Sequence, residues 1–574
     1  MMNVRKTSIF VLIIIIALAF VFTACDNEND NTGDTQDTQD TQDTPQQFDN
    51  IPAAQNETPD TDGSFNDITA AQLVADIKIG WNLGDTLDAH DHGEGWLSDT
   101  VLGMETAWGK PVTTKEMITA IKNAGFNAIR IPVTWYKAAD SNYNIRADWM
   151  ARVTEIVDYA VDNDMYIILN THHDEHIFRL TNEQKNTSLN AFEKIWEQIA
   201  DNFKNYNEKL IFEALNEPRT VGVPHEWTGG NAEEWANLNE YYQLFVNTIR
   251  ESGGNNDKRI LMVNTYGTYS GQNAIDGLVI PTDTVSDKII VSIHVYQPYH
   301  FAQNGAPVGT EYSVDTWSKS NSEDTSPITD PIYRAYNRFI SNGIPVIIGE
   351  FGAQDKNNEA VRAQWAEFYI GYAKSRGVKC FLWDNGTFDI NDGELMGFFD
   401  RNNNTFPFQD YLAGLMRGAE GEWEEENTTI TKTVVFNENI YDAGDGQGEI
   451  AHGYQVRFPL SELLGSIQVA DGDTYTLTYM VTSNVAIGNL QAVLVDTRQA
   501  VDHWKELSGY VDIGAVNIDS PVSGTKAITA AETAGDSSDS ANQFVLVINE
   551  SDIAASAPTL TFTALSLVKD NSFS

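Results

Sequence analysis

Ile211-Phe212-Glu213-Ala214-Leu215-Asn216-Glu217-Pro218 is an apolar run that delivers an Asn-Glu pair to its end, where a proline stops it. Ile344-Pro345-Val346-Ile347-Ile348-Gly349-Glu350-Phe351 repeats the arrangement with one carboxylate at its end. Runs this short and this rich in branched apolar residues read as strands buried on both faces. Working outward, comparable runs lie at residues 77–81, 128–132, 166–170, 210–215, 259–264, 289–294, 345–350 and 378–383. Amphipathic helical patterns separate them, among others at 115–123, 150–161, 191–203, 332–340 and 359–374. Strand alternating with helix about eight times over residues 65–418 is the rhythm of a (β/α)8 TIM barrel, of the α/β class. An open doubly wound sheet would alternate too, but no glycine-rich phosphate loop follows the first strand.

Beyond an acidic stretch at 420–426 the pattern changes. Residues 431–437, 454–458, 474–482, 489–496, 544–549 and 560–567 read as strands between Gly, Asp and Ser turns, with no helix-length period. Residues 430–574 are therefore expected to form an all-β sandwich, a possible carbohydrate-binding module. Of its aromatic residues Tyr454, Tyr475, Tyr479, Trp504 and Tyr510, the strand tyrosines suit a core. Trp504, flanked by His503 and Lys505, suits an exposed stacking face.

The chain opens with Arg5 and Lys6, an apolar run over 9–22, and Thr23-Ala24-Cys25. This pattern predicts a lipoprotein-type signal peptide over 1–24 with lipidation at Cys25, although Phe22 stands where leucine is usual. Residues 25–64 are acidic, repeat Asp-Thr-Gln over 34–44 and carry no apolar periodicity, so a disordered linker is expected. The protein is expected to be exported, as a monomer lipid-anchored to a bacterial envelope or surface, or otherwise secreted. A net charge of −46, from 36 basic against 82 acidic residues, repels phosphate backbones and excludes nucleic acid as the expected partner. A neutral polymer meets no such repulsion. Cys380, the other of two cysteines, lies between Val378 and Leu382 and reads as a small buried hydrophobe.

The strand ends of a barrel share one face, and here they are polar. The second strand carries Arg130, the third leads to His172 and His173, the fourth to Asn216 and Glu217. The sixth leads to His294 and Tyr296, the seventh to Glu350, the eighth to Trp383. Two strand-end carboxylates suit retaining glycoside hydrolysis, in which an acid protonates the leaving oxygen and a carboxylate about 5–5.5 Å away attacks the carbon. Glu217 is the expected acid/base and Glu350 the expected nucleophile. Arg130 is expected to hold the nucleophile ionised, and Asn216 to meet a sugar 2-hydroxyl. His294 and Tyr296 would orient the carboxylates, while Trp383 offers a flat face to a pyranose ring. Neither a metal nor a cofactor is called for.

Several runs carry a family resemblance. They are Ile79-Gly80-Trp81-Asn82-Leu83-Gly84-Asp85-Thr86-Leu87-Asp88-Ala89, Glu105-Thr106-Ala107-Trp108-Gly109, Leu169-Asn170-Thr171-His172-His173-Asp174, Leu215-Asn216-Glu217-Pro218 and His294-Val295-Tyr296-Gln297-Pro298-Tyr299. With Gly349-Glu350-Phe351-Gly352 and Trp383-Asp384-Asn385-Gly386, these resemble glycoside hydrolase family 5, most of all its subfamily 4 of bacterial endoglucanases, over residues 77–401. The resemblance implies a retaining endo-β-1,4-glucanase, a cellulase, with Glu217 as acid/base and Glu350 as nucleophile. It also implies sugar-binding roles for Asn82, His172, His173 and Asn216, and a plant cell-wall β-glucan or related hemicellulose as partner. Asp85 departs from the family, which commonly has Asn there; its charge would either alter a negative subsite or, the favoured expectation, sit in solvent.

His172-His173-Asp174-Glu175-His176 also spells H-x-x-E-H, an inverted zinc-protease pattern. Zinc binding would need both histidines on one face of a helix, whereas this stretch follows a strand. The same two glutamates would equally serve a xyloglucanase, mixed-linkage glucanase, xylanase or mannanase, whose substrate choice lies in loops. A non-catalytic glycan-binding surface lipoprotein would lack one of the carboxylates, and both are present.

Overall fold

The computed structural model describes residues 65–423, apart from 92 and 307–312, and, with gaps, residues 430–569. The expected signal peptide, Cys25, the acidic linker and Trp504 lie outside the described residues.

Eight parallel strands close into the expected barrel. They are β1 (Gly80–Asn82), β2 (Ala128–Ile131), β3 (Tyr166–Asn170), β4 (Leu210–Glu213), β5 (Leu261–Tyr269), β6 (Ile289–His294), β7 (Val346–Phe351) and β8 (Lys379–Leu382). Several of the helices between them bury a single stripe. Lys185–Phe203, for example, buries Ala191, Phe192, Ile195, Trp196, Ile199 and Phe203 at the spacing of a helix face.

Inside the barrel, Ala128, Ile168, Ile211, Met262, Ile290, Ile347 and Phe381 form one apolar cluster with Ala70, Leu73, Val74 and Ile77. The helix Ala70–Asp76 thus plugs the barrel floor. Thr69 caps it, accepting from the Gln72 N–H while the Gln72 side chain accepts from the Thr69 N–H. Gly80 makes room for this floor, since a Cβ there would come within 2.0 Å of the Phe381 ring.

Side chains two apart on a strand share a face. Two positions beyond the floor the inward residues are Asn82, Arg130, Asn170, Glu213, Asn264, Ser292 and Gly349, followed past the end of β8 by Trp383. From Asn82 to Ser292 these side chains are fully buried. The barrel interior therefore changes from an apolar floor to a polar tier within one strand repeat.

The C-terminal region forms two antiparallel sheets. One contains Asn437–Asn439, Gly453–Pro459, Asn542–Asn549, Ile487–Asp496, Lys505–Glu506 and Val511–Val516; the other contains Val522–Thr529, Thr474–Ser483, Thr559–Lys569 and Ile430–Val435. Residues from both, such as Phe458, Leu494 and Phe544 against Leu477 and Phe562, share one core, as in a sandwich. Tyr475 and Tyr479 belong to that core, whereas Tyr510 is exposed. Val511–Val516 and Val522–Thr529 were not expected as strands. Their Asp512, Gly514, Ser523 and Gly524 read locally as turn residues, and only pairing with Ile487–Asp496 and Thr474–Ser483 makes them strands.

Candidate active site

Arg130 organises the polar tier. Its Nε donates to Glu213 Oε2 at 2.6 Å, Nη1 to Asn82 Oδ1 at 3.0 Å and Glu350 Oε1 at 2.8 Å, and Nη2 to Asn216 Oδ1 at 2.8 Å. Burial alone would lower the guanidinium pKa, but Glu213 and Glu350 outweigh it and push it up, so the charge is permanent. Glu213 also accepts from Asn170 Nδ2 at 3.1 Å and Asn264 Nδ2 at 2.9 Å. This residue was missed as a site residue in the sequence. The signal was present: a carboxylate inside a strand buried on both faces requires a buried cationic partner.

Asn216 and Glu217 lie just past the last residue of β4. Glu350 reaches the mouth by a different route. Pairing shifts register between Ile293 and His294 on β6, and between Ile348 and Phe351 on β7, which breaks strict alternation and lets Glu350 turn inward next to inward Gly349. Donor atoms of Glu217, His294 and Glu350 all lie within 4.8 Å of one another.

The two carboxylates have different surroundings. Glu350 Oε1 accepts from Arg130, and Oε2 accepts from the Tyr296 hydroxyl at 2.8 Å. Burial and the Glu350 charge hold that phenol well above its ordinary range, so it remains a donor. Glu217 Oε1 is 3.0 Å from His294 Nδ1, while Oε2 is 3.8 Å from Arg219 Nη1. Burial pushes the Glu217 carboxyl up, Arg219 and His173 pull it down, Glu175 adds to the rise, and the net shift is upward. Burial pushes the His294 imidazole down to about 4 against the opposing pull of Glu350, which leaves the ring neutral at neutral pH.

His172 and Trp383 stack nearly parallel, at 4° and 5.8 Å between ring centres. Burial holds His172 neutral, and its Nδ1 is 3.2 Å from Asn170 Nδ2. His173 is less enclosed; burial lowers its pKa, but Glu175, 3.8 Å away, outweighs this and raises it. Asn82, expected to meet sugar, is fully buried instead. Its amide donates to the carbonyls of Gly349, Phe381 and Leu382 at 3.0–3.3 Å and its oxygen accepts from Arg130, so it is held within the tier. Asp85, expected in solvent, is largely enclosed and 3.9 Å from Lys110. Burial, then the neighbouring Asp88, push its carboxyl up to about 7.

Two groups among the described residues bring three donor atoms close enough for a cation: the Glu217, His294 and Glu350 group, and Asp88, His172 and His173. Asp88 already accepts the N–H groups of Thr86 at 2.6 Å and Asp85 at 3.0 Å. His172 to His176 form no helix, so the inverted zinc pattern lacks the geometry it needs. Cys380 is buried, as expected.

A buried cation between carboxylates, an acid with raised pKa and a paired partner carboxylate are the parts of a double-displacement site. Comparison with known proteins agrees. Residues 89–389 match the family described as cellulase (glycosyl hydrolase family 5). The chain is 40% identical over 350 residues to Endoglucanase A of Clostridium longisporum, covering 61% of this chain and 66% of that one. It is 43% identical over 357 residues to the cellulase/esterase CelE of Acetivibrio thermocellus, covering 62% of this chain and 41% of CelE. The match thus spans less than two thirds of the length of either relative. Among solved structures, the GH5-4 broad specificity endoglucanase from Ruminococcus champanellensis with bound cellotriose is 44% identical, with a TM-score of 0.58 over 62% of this chain and 99% of that one. Sequence, fold and site geometry agree that this chain belongs to glycosyl hydrolase family 5, the cellulase family.

Proposed function

We propose that this chain is a retaining endo-β-1,4-glucanase that cuts internal bonds of cellulose and related β-glucans. Glu350 attacks the anomeric carbon while Glu217 protonates the departing glycosidic oxygen. Glu217, now a carboxylate, then takes a proton from water as that water attacks the same carbon and releases Glu350. The observation that carries this reading is the unequal environment of two carboxylates less than 5 Å apart. Asn216, with its oxygen bonded to Arg130, has its amide NH2 for a sugar hydroxyl, and Trp383 with His172 provides a flat wall for the ring. Relatives named endoglucanase, and one described as broad in specificity, support a β-glucan substrate. The proposal extends to export with a lipid anchor at Cys25, and to polysaccharide binding by the C-terminal sheets.

Reducing-end release on a panel of cellulose, mixed-linkage glucan, xyloglucan, xylan and mannan tests the substrate class. Proton NMR in early turnover should show the β-anomer first. Initial α-product would exclude double displacement. Activity should survive excess EDTA, and a loss restored by zinc would overturn the metal-free reading.

A further inference from the structure

The polar tier is bonded continuously from β1 to β5, through Asn82, Arg130, Glu213, Asn170 and Asn264. On the β6 side it has a gap. Asn264 Oδ1, Ser292 Oγ and His294 Nε2 are all buried, and none has a protein hydrogen-bond partner. Asn264 and Ser292 are paired residues on neighbouring strands. A Cβ built on Gly349 would lie 2.8 Å from Ser292 Oγ and 3.1 Å from His294 Nε2, so these two atoms share one space that Gly349 keeps open. The Gly349 backbone is not left-handed, so glycine serves here for room and not for conformation.

The polarity of the gap follows from the bonded side. Asn264 presents its NH2 to Glu213 Oε1 and so turns its oxygen, an acceptor only, toward the gap. Buried polar atoms are satisfied by partners or by ordered water, and one water bonded to about three protein groups is the usual form. One water can donate to Asn264 Oδ1 and Ser292 Oγ and accept from His294 Nε2–H, the arrangement selected when Glu217 directs its own proton at Nδ1. The neutral ring carries one N–H, so its Nδ1, 3.0 Å from Glu217, is then bare.

We infer that Asn264 and Ser292 are positioning residues which, through one buried water, hold His294 as the Nε2–H tautomer and thereby give the Glu217 proton its acceptor. The inference rests on Glu217 being the acid. Losing the Ser292 hydroxyl frees the ring to place its proton on Nδ1, where it would bond to ionised Glu217 and favour loss of the catalytic proton. The other groups facing this pair are Glu350, Arg130 and Glu213 around His294, and Arg219, His173, Glu175 and Arg130 around Glu217. None of them changes in the variant.

The test uses the full chain labelled with 15N-histidine. In the wild type, His294 should show a protonated Nε2 and an unprotonated Nδ1. In Ser292→Ala, kcat/KM for cellopentaose should fall about tenfold, with the alkaline limb of its pH profile moved to lower pH. A dinitrophenyl cellobioside, whose leaving group needs no proton, should stay within about twofold of wild type. A proton on Nδ1 in the wild type, equal loss on both substrates, or unchanged cellopentaose kinetics would each overturn the inference. Glu217→Gln is the parallel control: if it hydrolyses cellopentaose normally, the assignment of the acid has failed, whatever tautomer His294 shows.

Discussion

At Glu350 both carboxylate oxygens accept hydrogen bonds from strong donors, whereas Glu217 meets a neutral imidazole and a distant guanidinium. The same side chain is thereby paired with a cation and a phenol in one place and ready to hold a proton in the other. Glu217→Gln and Glu350→Gln should each lower kcat on soluble β-glucan by about 10²–10⁴-fold with an unchanged circular dichroism spectrum. Near wild-type turnover in either would remove that residue from the mechanism. Because the Glu217 carboxyl is raised and acts protonated, kcat/KM should fall as pH rises through its pKa, which lies above that of a free glutamate. A pH profile measured with wild type should show this alkaline limb. Glu213 has a structural task in the same network. Glu213→Leu leaves Arg130 without its closest carboxylate in a fully buried site and should destabilise the fold by about 3–5 kcal/mol, read by denaturant unfolding.

At the scale of elements, the decisive event is the change from floor to tier along each barrel strand. Strand alternation is visible in the sequence, and so is the clustering of polar residues at the strand ends. Which of these face sugar and which lie beneath was not visible. Asn82 and Glu213 are polar residues in runs like the others, yet both are spent inside the barrel because Arg130 lies between their strands. Glu350 faces inward through register shifts that no local residue announces. The floor is equally demanding of shape. Gly80→Val would drive a side chain into the Phe381 ring and should cost about 1–3 kcal/mol, seen as a lower Tm. A Tm equal to wild type would mean that Phe381 has another place to go.

For the molecule as a whole, every proposed catalytic residue lies before residue 390, and the barrel closes through hydrogen bonds among its own eight strands. Trp423 packs edge-on against Phe368 and Tyr372, and against Gly371, so a truncation that respects the barrel should end beyond Trp423. A chain ending there is expected to hydrolyse soluble oligosaccharides at an undiminished rate and to act more weakly on insoluble polymer, since surface binding raises effective concentration only for an immobile substrate. Assays of full-length and truncated protein on both substrates check this; equal loss on both would make the C-terminal sheets a support for the barrel. Fold class, the order of strands and helices, and the meeting of Glu217 and Glu350 at one end of the barrel were legible from sequence alone. Apolar periodicity and strand-end position are local properties that survive in one dimension. The role of Glu213, the burial of Asn82, the enclosure of Asp85 and the strands Val511–Val516 and Val522–Thr529 were decided only by tertiary structure. Each depends on a partner far away in the chain, and no residue records by itself which distant neighbour the closed barrel or the paired sheets will bring beside it.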